Sequence, residues 1–233
     1  MENGQSAGKE FAYLLGVYLG DGCILQDKRW VNIGYKFQLV CIDYDFIEKV
    51  QQSINILLEK LPNIKTVNMT TKGKENRKQQ YKMVISNIFW KTFVDDTCNK
   101  KIIPEYVWNW DKELIKQFII GIMDSEGYCA KCKKYTGTIY SYQLGIGMAE
   151  SYTWDIWRLF QKIGTETTQP QLMLQKVKMR KDGTPHKDCF RWQIKIPSFD
   201  SSGLYFNIKR KQERVEEYLH KKRIQPQRLY DIT

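Results

Sequence analysis

The stretch Leu14-Leu15-Gly16-Val17-Tyr18-Leu19-Gly20-Asp21-Gly22 returns as Ile119-Ile120-Gly121-Ile122-Met123-Asp124-Ser125-Glu126-Gly127, an offset of 105 positions (126 − 21). Each copy is an apolar run interrupted by small residues four apart: Gly16 and Gly20 in one, Gly121 and Ser125 in the other. Positions four apart lie on one face of a helix. Small residues there let two helix backbones approach closely. The pattern predicts two motif helices packed on each other and stopped by Gly22 and Gly127. The same offset aligns Tyr35-Lys36-Phe37-Gln38-Leu39 with Tyr140-Ser141-Tyr142-Gln143-Leu144, which reads as a second sign of duplicated halves.

Outward from the motif, each half spells one order of elements, αββαββα. In the first half a helix near Lys9 to Gly20 leads into strands near Cys23 to Trp30 and Val31 to Ile42. Asp43 reads as the N-cap of the next helix, whose Phe46, Ile47, Val50, Ile54 and Leu57 recur at helical spacing. Strands near Ile64 to Thr71 and Gln79 to Ile85 and a helix near Asn87 to Cys98 complete it. The second half runs as a helix near Lys112 to Ser125, strands over Tyr128 to Met148, and a helix capped by Ser151. Then come strands near Gln171 to Met179 and Phe190 to Ile196, turning at Asp182-Gly183, and a single helix over Ser201 to Tyr218. The expected class is α+β: two pseudo-symmetric repeats, each with a four-stranded antiparallel sheet. The repeats span 1–99 and 112–233, the latter ending in a basic helical tail. Residues 100–111, broken at Pro104, link them.

The chain has 37 Lys plus Arg against 26 Asp plus Glu, a formal charge of +11, and 42% hydrophobic residues. It can build a core, and its charge calls for a polyanion, either nucleic acid or an anionic membrane surface. No apolar run approaches a bilayer span, and Met1 to Glu10 lack a signal-peptide core. The expectation is an intracellular protein of a prokaryotic cytoplasm or an organelle, not secreted. The six sparse cysteines read as reduced thiols.

If the motif helices meet, Asp21 and Glu126 leave their C-terminal ends side by side. A carboxylate at a helix C-terminus is unfavourable to the macrodipole, yet both copies keep one. Two such acids suit a hard divalent cation, Mg²⁺ with phosphate oxygens and water, in a phosphodiester-cleaving site. Both segments resemble the LAGLIDADG motif of homing endonucleases, in the monomeric two-motif form, over nearly the whole chain. Lys101-Ile102-Ile103-Pro104 followed by Phe118 to Gly127 is typical of that family's second repeat. The resemblance implies a DNA-binding saddle of two sheets and double-strand cleavage across the minor groove, leaving short 3′ overhangs. It implies that Asp21 and Glu126 are the catalytic acids and metal ligands, that the carbonyls of Gly20 and Ser125 can join them, and that Mn²⁺ or Ca²⁺ can replace Mg²⁺. Leu19 stands where the first motif's earlier acid would be, and Glu126 replaces Asp. Asp124 keeps the earlier acid, expected to serve helix packing or a hydrogen bond. The family places basic or polar side chains around the cleavage centre; strand placement points to Lys82 and Lys195, with Gln38 and Gln143 nearby.

The strands carry side chains able to pair with base edges. In the first half these are Gln26, Lys28, Arg29, Asn32, Lys36 and Gln38, then Asn68, Thr70, Lys72, Arg77 and Gln79. The second half offers Lys131, Lys133, Tyr140 and Gln143, then Gln175, Lys176, Lys178, Arg180, Lys187, Arg191 and Gln193. Alternation turns Tyr35, Phe37 and Leu39 toward the helices and leaves Lys36 and Gln38 for the groove. The tail around Lys209-Arg210-Lys211 reads as phosphate contacts or a solvated helix. Cys129, Cys132, His186 and Cys189 form a set with zinc-ligand chemistry, although alternation separates the first two. Double-stranded DNA with a long target site is the expected partner, with no membrane and no obligate protein partner. An intron RNA maturase and a DNA-binding protein of the same fold remain open alternatives. The chain lacks the terminal residues of an intein, so it reads as freestanding or intron-encoded.

Overall fold

The computed structural model describes residues 2–27, 34–67, 79–100, 102–133, 140–148, 152–175 and 189–224. The expected hairpin turn at Asp182-Gly183 and the N-cap at Ser151 lie outside these residues.

Helix α1 (Glu2–Leu19) leads into β1 (Cys23–Asp27) and β2 (Gly34–Cys41). These are followed by α2 (Tyr44–Leu58), β3 (Ile64–Val67), β4 (Gln80–Ser86) and α3 (Trp90–Asp96). A 3-10 turn at Glu105–Asn109 precedes α4 (Lys112–Glu126), β5 (Gly127–Lys133) and β6 (Tyr140–Met148). The chain continues through α5 (Thr153–Ile163), β7 (Gln171–Gln175), β8 (Cys189–Lys195), α6 (Phe199–Ser202) and α7 (Lys209–Ile224). Both sheets are four-stranded and antiparallel, in the orders β1-β2-β4-β3 and β5-β6-β8-β7. The α+β class and the repeated order are those read from the sequence.

Two differences matter for the site. Asp43 makes no side-chain cap to α2; its carboxylate is taken by Arg210, and Asp45 accepts the Phe46 N–H instead. The single helix expected over Ser201 to Tyr218 is two helices, because Gly203 adopts φ 70° and ends α6. Residues 203–208 between them are not helical.

The chain forms two compact units: Met1–Ser125 with Tyr205–Gln212, and Glu126–Leu204 with Glu213–Thr233. They do not coincide with the sequence repeats, because α4 packs on α1 and belongs to the first unit. There the C-terminal half of α1 is buried on all sides: Ala12, Tyr13, Leu14, Leu15, Val17, Tyr18 and Leu19 are each at most 1% exposed. An all-round apolar helix is a core helix. Phe37 stacks on Trp90 at 4.9 Å beneath the first sheet, and Phe11 meets Phe93 edge-on at 5.3 Å. In the second unit, Leu144, Ile146 and Ile194 from the sheet are buried, as are Ile156, Leu159 and Phe160 from α5.

Candidate functional site

The crossing of α1 and α4 is backbone against backbone. A Cβ on Gly16 would fall on the Phe118 carbonyl oxygen and 3.0 Å from the Ile122 nitrogen. One on Gly121 would fall on the Tyr13 carbonyl oxygen and 2.9 Å from the Val17 nitrogen. Real side chains do not tolerate such distances, so glycine is required at both places by contact. Asp21 follows the first glycine by five residues, and Glu126 follows the second by five. Asp21 is exposed and Glu126 half-buried.

A lysine reaches each motif end. Lys100 Nζ donates to the Gly20 carbonyl at 2.9 Å and lies 5.1 Å from the Tyr18 ring centroid. Three consecutive non-glycine residues in left-handed conformation, Cys98, Asn99 and Lys100 (φ 46°, 56° and 65°), deliver it. Such residues cost of order 1 kcal/mol each and persist only where the surroundings fix them. Buried Thr97 does so: its hydroxyl donates to the Phe93 carbonyl and accepts the Lys100 N–H. At the other motif, Lys211 Nζ donates to the carbonyls of Asp124 at 2.7 Å, Met123 at 3.3 Å and Ser125 at 3.5 Å. Cations at a helix C-terminus are favourable. Burial lowers the Lys211 ammonium to about 8, against the attraction of Asp124, Asp21 and Asp43. Lys211 thus touches the Ser125 carbonyl while sensing Asp21.

Asp124 is buried, with both carboxylate oxygens in use. Oδ2 accepts the Tyr13 hydroxyl at 2.9 Å and Asn207 Nδ2 at 2.7 Å; Oδ1 accepts the Asn207 N–H at 2.9 Å. Burial raises its carboxyl to about 6, and these hydrogen bonds and Lys211 oppose the rise. Its expected packing and hydrogen-bonding role is what the structure shows. The tail reading of Lys209-Arg210-Lys211 is corrected at Lys211, which is buried; Lys209 and Arg210 are exposed, the Lys209 main-chain N–H donating to Asp45 and Arg210 making a bidentate pair with Asp43. Lys100 and Lys211 escaped sequence reasoning because neither lies on a strand. Their signal was position alone, each following the last strand of its repeat.

In the first sheet the rungs of the open face are Leu25–Lys36–Ser86, Cys23–Gln38–Val84 and Val40–Lys82–Lys65. They mix Lys and Gln with Leu and Val, able to meet base edges and thymine methyl groups alike. Gln26 pairs with Tyr35 on the other face, exposed at the sheet edge, and Gln79 donates to the Thr66 hydroxyl at 3.4 Å. In the second sheet the rungs include Tyr128–Gly145–Lys195 and Gly147–Gln193–Gln171. By backbone pairing, Lys131 stands opposite Tyr142, Lys133 opposite Tyr140, Gln143 opposite Ala130, Gln175 opposite Cys189 and Arg191 opposite Met173. Lys28, Arg29, Asn32, Asn68, Thr70, Lys72, Arg77, Lys176, Lys178, Arg180 and Lys187 lie outside the described residues.

The register corrects the match at offset 105. Cys23, just after Gly22, pairs with Gln38; Tyr128, just after Gly127, pairs with Gly145. The counterpart of Gln38 is therefore Gly145, 107 positions on (145 − 38), not Gln143. Lys195 then corresponds to Val84, and Lys82 to Gln193, so those two lysines are not equivalent. The zinc set also loses support: Cys129 is buried, donates to the Arg214 carbonyl, and burial pushes its thiol up to about 11. His186 lies outside the described residues, and no cluster of three or more His, Cys, Asp or Glu able to hold a metal occurs among those described.

A likeness to solved structures supports the fold. It is the fold of homing endonucleases of the LAGLIDADG type. The homing endonuclease I-DmoI, in a crystal structure with DNA and Mn, matches at 17% identity with a TM-score of 0.51, covering 84% of this chain and 93% of its own. A point mutant of I-SmaMI matches at 9% identity with a TM-score of 0.52, covering 91% of this chain and 92% of its own. No protein-family model and no curated protein matches the sequence.

Proposed function

We propose that this chain is a site-specific double-strand DNA endonuclease that acts as a monomer on a long target site, with Asp21 and Glu126 as its catalytic acids. The observation that carries the reading is the backbone-on-backbone crossing of α1 and α4 at Gly16 and Gly121, from which both acids follow at the same interval. The I-DmoI structure, solved with DNA and Mn, supports it by fold. The open strand faces supply the groove-reading surface, and the +11 charge supplies attraction to phosphate. Cleavage of both strands across the minor groove, with short 3′ overhangs, is part of the reading, and so is an intracellular setting where the DNA resides.

The donor set fits a hard divalent cation such as Mg²⁺, with Mn²⁺ or Ca²⁺ as substitutes. The exposed Asp21 carboxylate and the half-buried Glu126 carboxylate are hard oxygen donors of the kind such an ion takes. Asp124 does not qualify, since both of its oxygens are committed. When bound, the ion supplies Lewis-acid charge for the scissile phosphate. Lys100 and Lys211 hold positive charge against the Gly20 and Ser125 carbonyls, the further oxygens suited to the ion. Lys82 and Lys195 lie one rung from motif-adjacent positions or within such a rung and are assigned to the groove face.

The test is digestion of a randomised or genomic DNA library with purified protein and Mg²⁺, followed by sequencing of the ends. The expected result is one recurrent site, cut by wild type and left intact by Asp21→Asn and Glu126→Gln, both of which still bind it. Wild-type protein that binds DNA and cuts nothing would rule the reading out.

A further inference from the structure

We propose that Asp124 is a positioning residue: by gripping Asn207 it fixes the segment 205–212 so that Lys211 stands on the carbonyls ending α4. The inference rests on the endonuclease reading above.

Asn207 gives Asp124 two of its three hydrogen bonds, one from the main chain and one from the side chain. A buried carboxylate cannot surrender such donors cheaply, because an ion left unpaired out of water costs several kcal/mol. The grip therefore joins the two residues at two points, one on the main chain and one on the side chain of Asn207. Asn207 lies just before α7, so its placement sets where the first turn of that helix starts. Two further contacts fix the same turn: the Lys209 N–H on Asp45 and the Arg210 guanidinium on Asp43. The result is that Lys211, four residues past Asn207, ends with its ammonium on three carbonyls. Lys211 is only 8% exposed, so its long side chain is held rather than solvated.

The device exists at one motif only. Leu19 occupies the place equivalent to Asp124, and Lys100 is held by Thr97 and a left-handed turn instead. A residue conserving packing alone would be met by an apolar side chain, as Leu19 shows. The acid at 124 adds the aimed grip on the segment that carries Lys211.

The test is a double-mutant cycle on the identified DNA target. Asn207→Ala removes the side-chain donor and leaves the main-chain one. Lys211→Met removes the ammonium. Single-turnover cleavage rate, DNA Kd and thermal midpoint are measured for each single variant, the double variant, and the core variant Ile54→Val. The expected result is a loss of about tenfold or more in rate for Asn207→Ala, in the range for residues that orient a site from behind. Its DNA Kd stays within about twofold of wild type, and the double variant is no slower than Lys211→Met alone. Ile54→Val, destabilised in the same unit but remote from the segment, keeps the wild-type rate. Losses that multiply in the double variant, or a wild-type rate for Asn207→Ala, would overturn the positioning role alone. A wild-type protein that binds DNA without cutting it would remove the endonuclease reading and this inference with it. Asp124→Asn serves as a second entry to the cycle, with the same expectation of no added loss beside Lys211→Met.

Discussion

Two aspartates in homologous stretches meet opposite fates. Asp21 is exposed at the end of α1, where the helix dipole disfavours a negative charge; Asp124 is sealed in a network that engages both of its oxygens with three donors. Removing the first charge relieves an unfavourable interaction worth a few tenths to about 1 kcal/mol. Because the same charge attracts the Lys211 ammonium, the two effects oppose, and Asp21→Asn is expected to leave the urea midpoint close to wild type while cleavage disappears. Asp124→Leu, which copies Leu19, strands the Tyr13 hydroxyl and two Asn207 donors and is expected to cost about 3 kcal/mol or more in the same urea titration. The cysteines offer a pH reading of burial. Burial pushes the Cys41 thiol up to about 12, with the negative charges of Asp43, Asp21 and Asp45 adding to it. An unfolded thiol ionises near 9, so between about 9 and 12 the folded chain binds the extra proton. This group's contribution to stability is present below that window and lost as pH rises through it. In native protein at pH 8.5, iodoacetamide is expected to label exposed Cys23 and Cys98, whereas Cys41 and Cys129 react only after unfolding. Equal labelling rates at all four in mass spectrometry would contradict the burial pattern.

At the scale of elements, the glycine crossing sets the demand. Alanine at Gly16 or Gly121 drives a methyl into a carbonyl oxygen of the facing helix. Because backbone rather than a flexible side chain stands in the way, the helices must separate. We expect each substitution to cost at least about 3 kcal/mol, at or above the upper end of overpacking losses, read as a lowered denaturation midpoint. This crossing was legible in the sequence, since small residues at helical spacing have few other uses in an apolar run. The order of elements was legible too, because helical and strand periodicities differ. The strap between α6 and α7 was not. Leu204, Ile208, Lys211 and Val215 keep a helical spacing across it, all of them buried, and that spacing concealed the break that Gly203 imposes. The strand match at offset 105 misled for a related reason. A two-residue shift preserves the parity of a pleated strand, so Tyr35 to Leu39 resemble Tyr140 to Leu144 although their true partners lie two positions further on. The lysines at the motif ends were hidden because their roles depend on contacts 80 or more residues away in the chain.

At the scale of the whole molecule, the repeats written in the sequence are not the units in which the chain packs. A break at Pro104 separates the repeats cleanly on paper, yet it would divide α1 from α4, and the first compact unit needs both along with residues 205–212. A fragment ending at Pro104 keeps its sheet and α2 but bares the face of α1 around Gly16, flanked by Tyr13 and Val17, which α4 covers in the intact chain. It also loses the carboxylate that takes the Tyr13 hydroxyl and the partners of Asp43 and Asp45. A segment this size without its core helix partner has little margin, because folded domains hold only about 5–15 kcal/mol in total. The fragment 1–104 is therefore expected to aggregate or to lack near-UV circular dichroism when made alone. Co-expression with 105–233 should restore a soluble complex, because α4 and the strap both arrive on the second piece. A cooperatively melting, monomeric 1–104 fragment would show that the motif helix does not depend on its partner, and the packing argument for the duplicated glycines would fall with it.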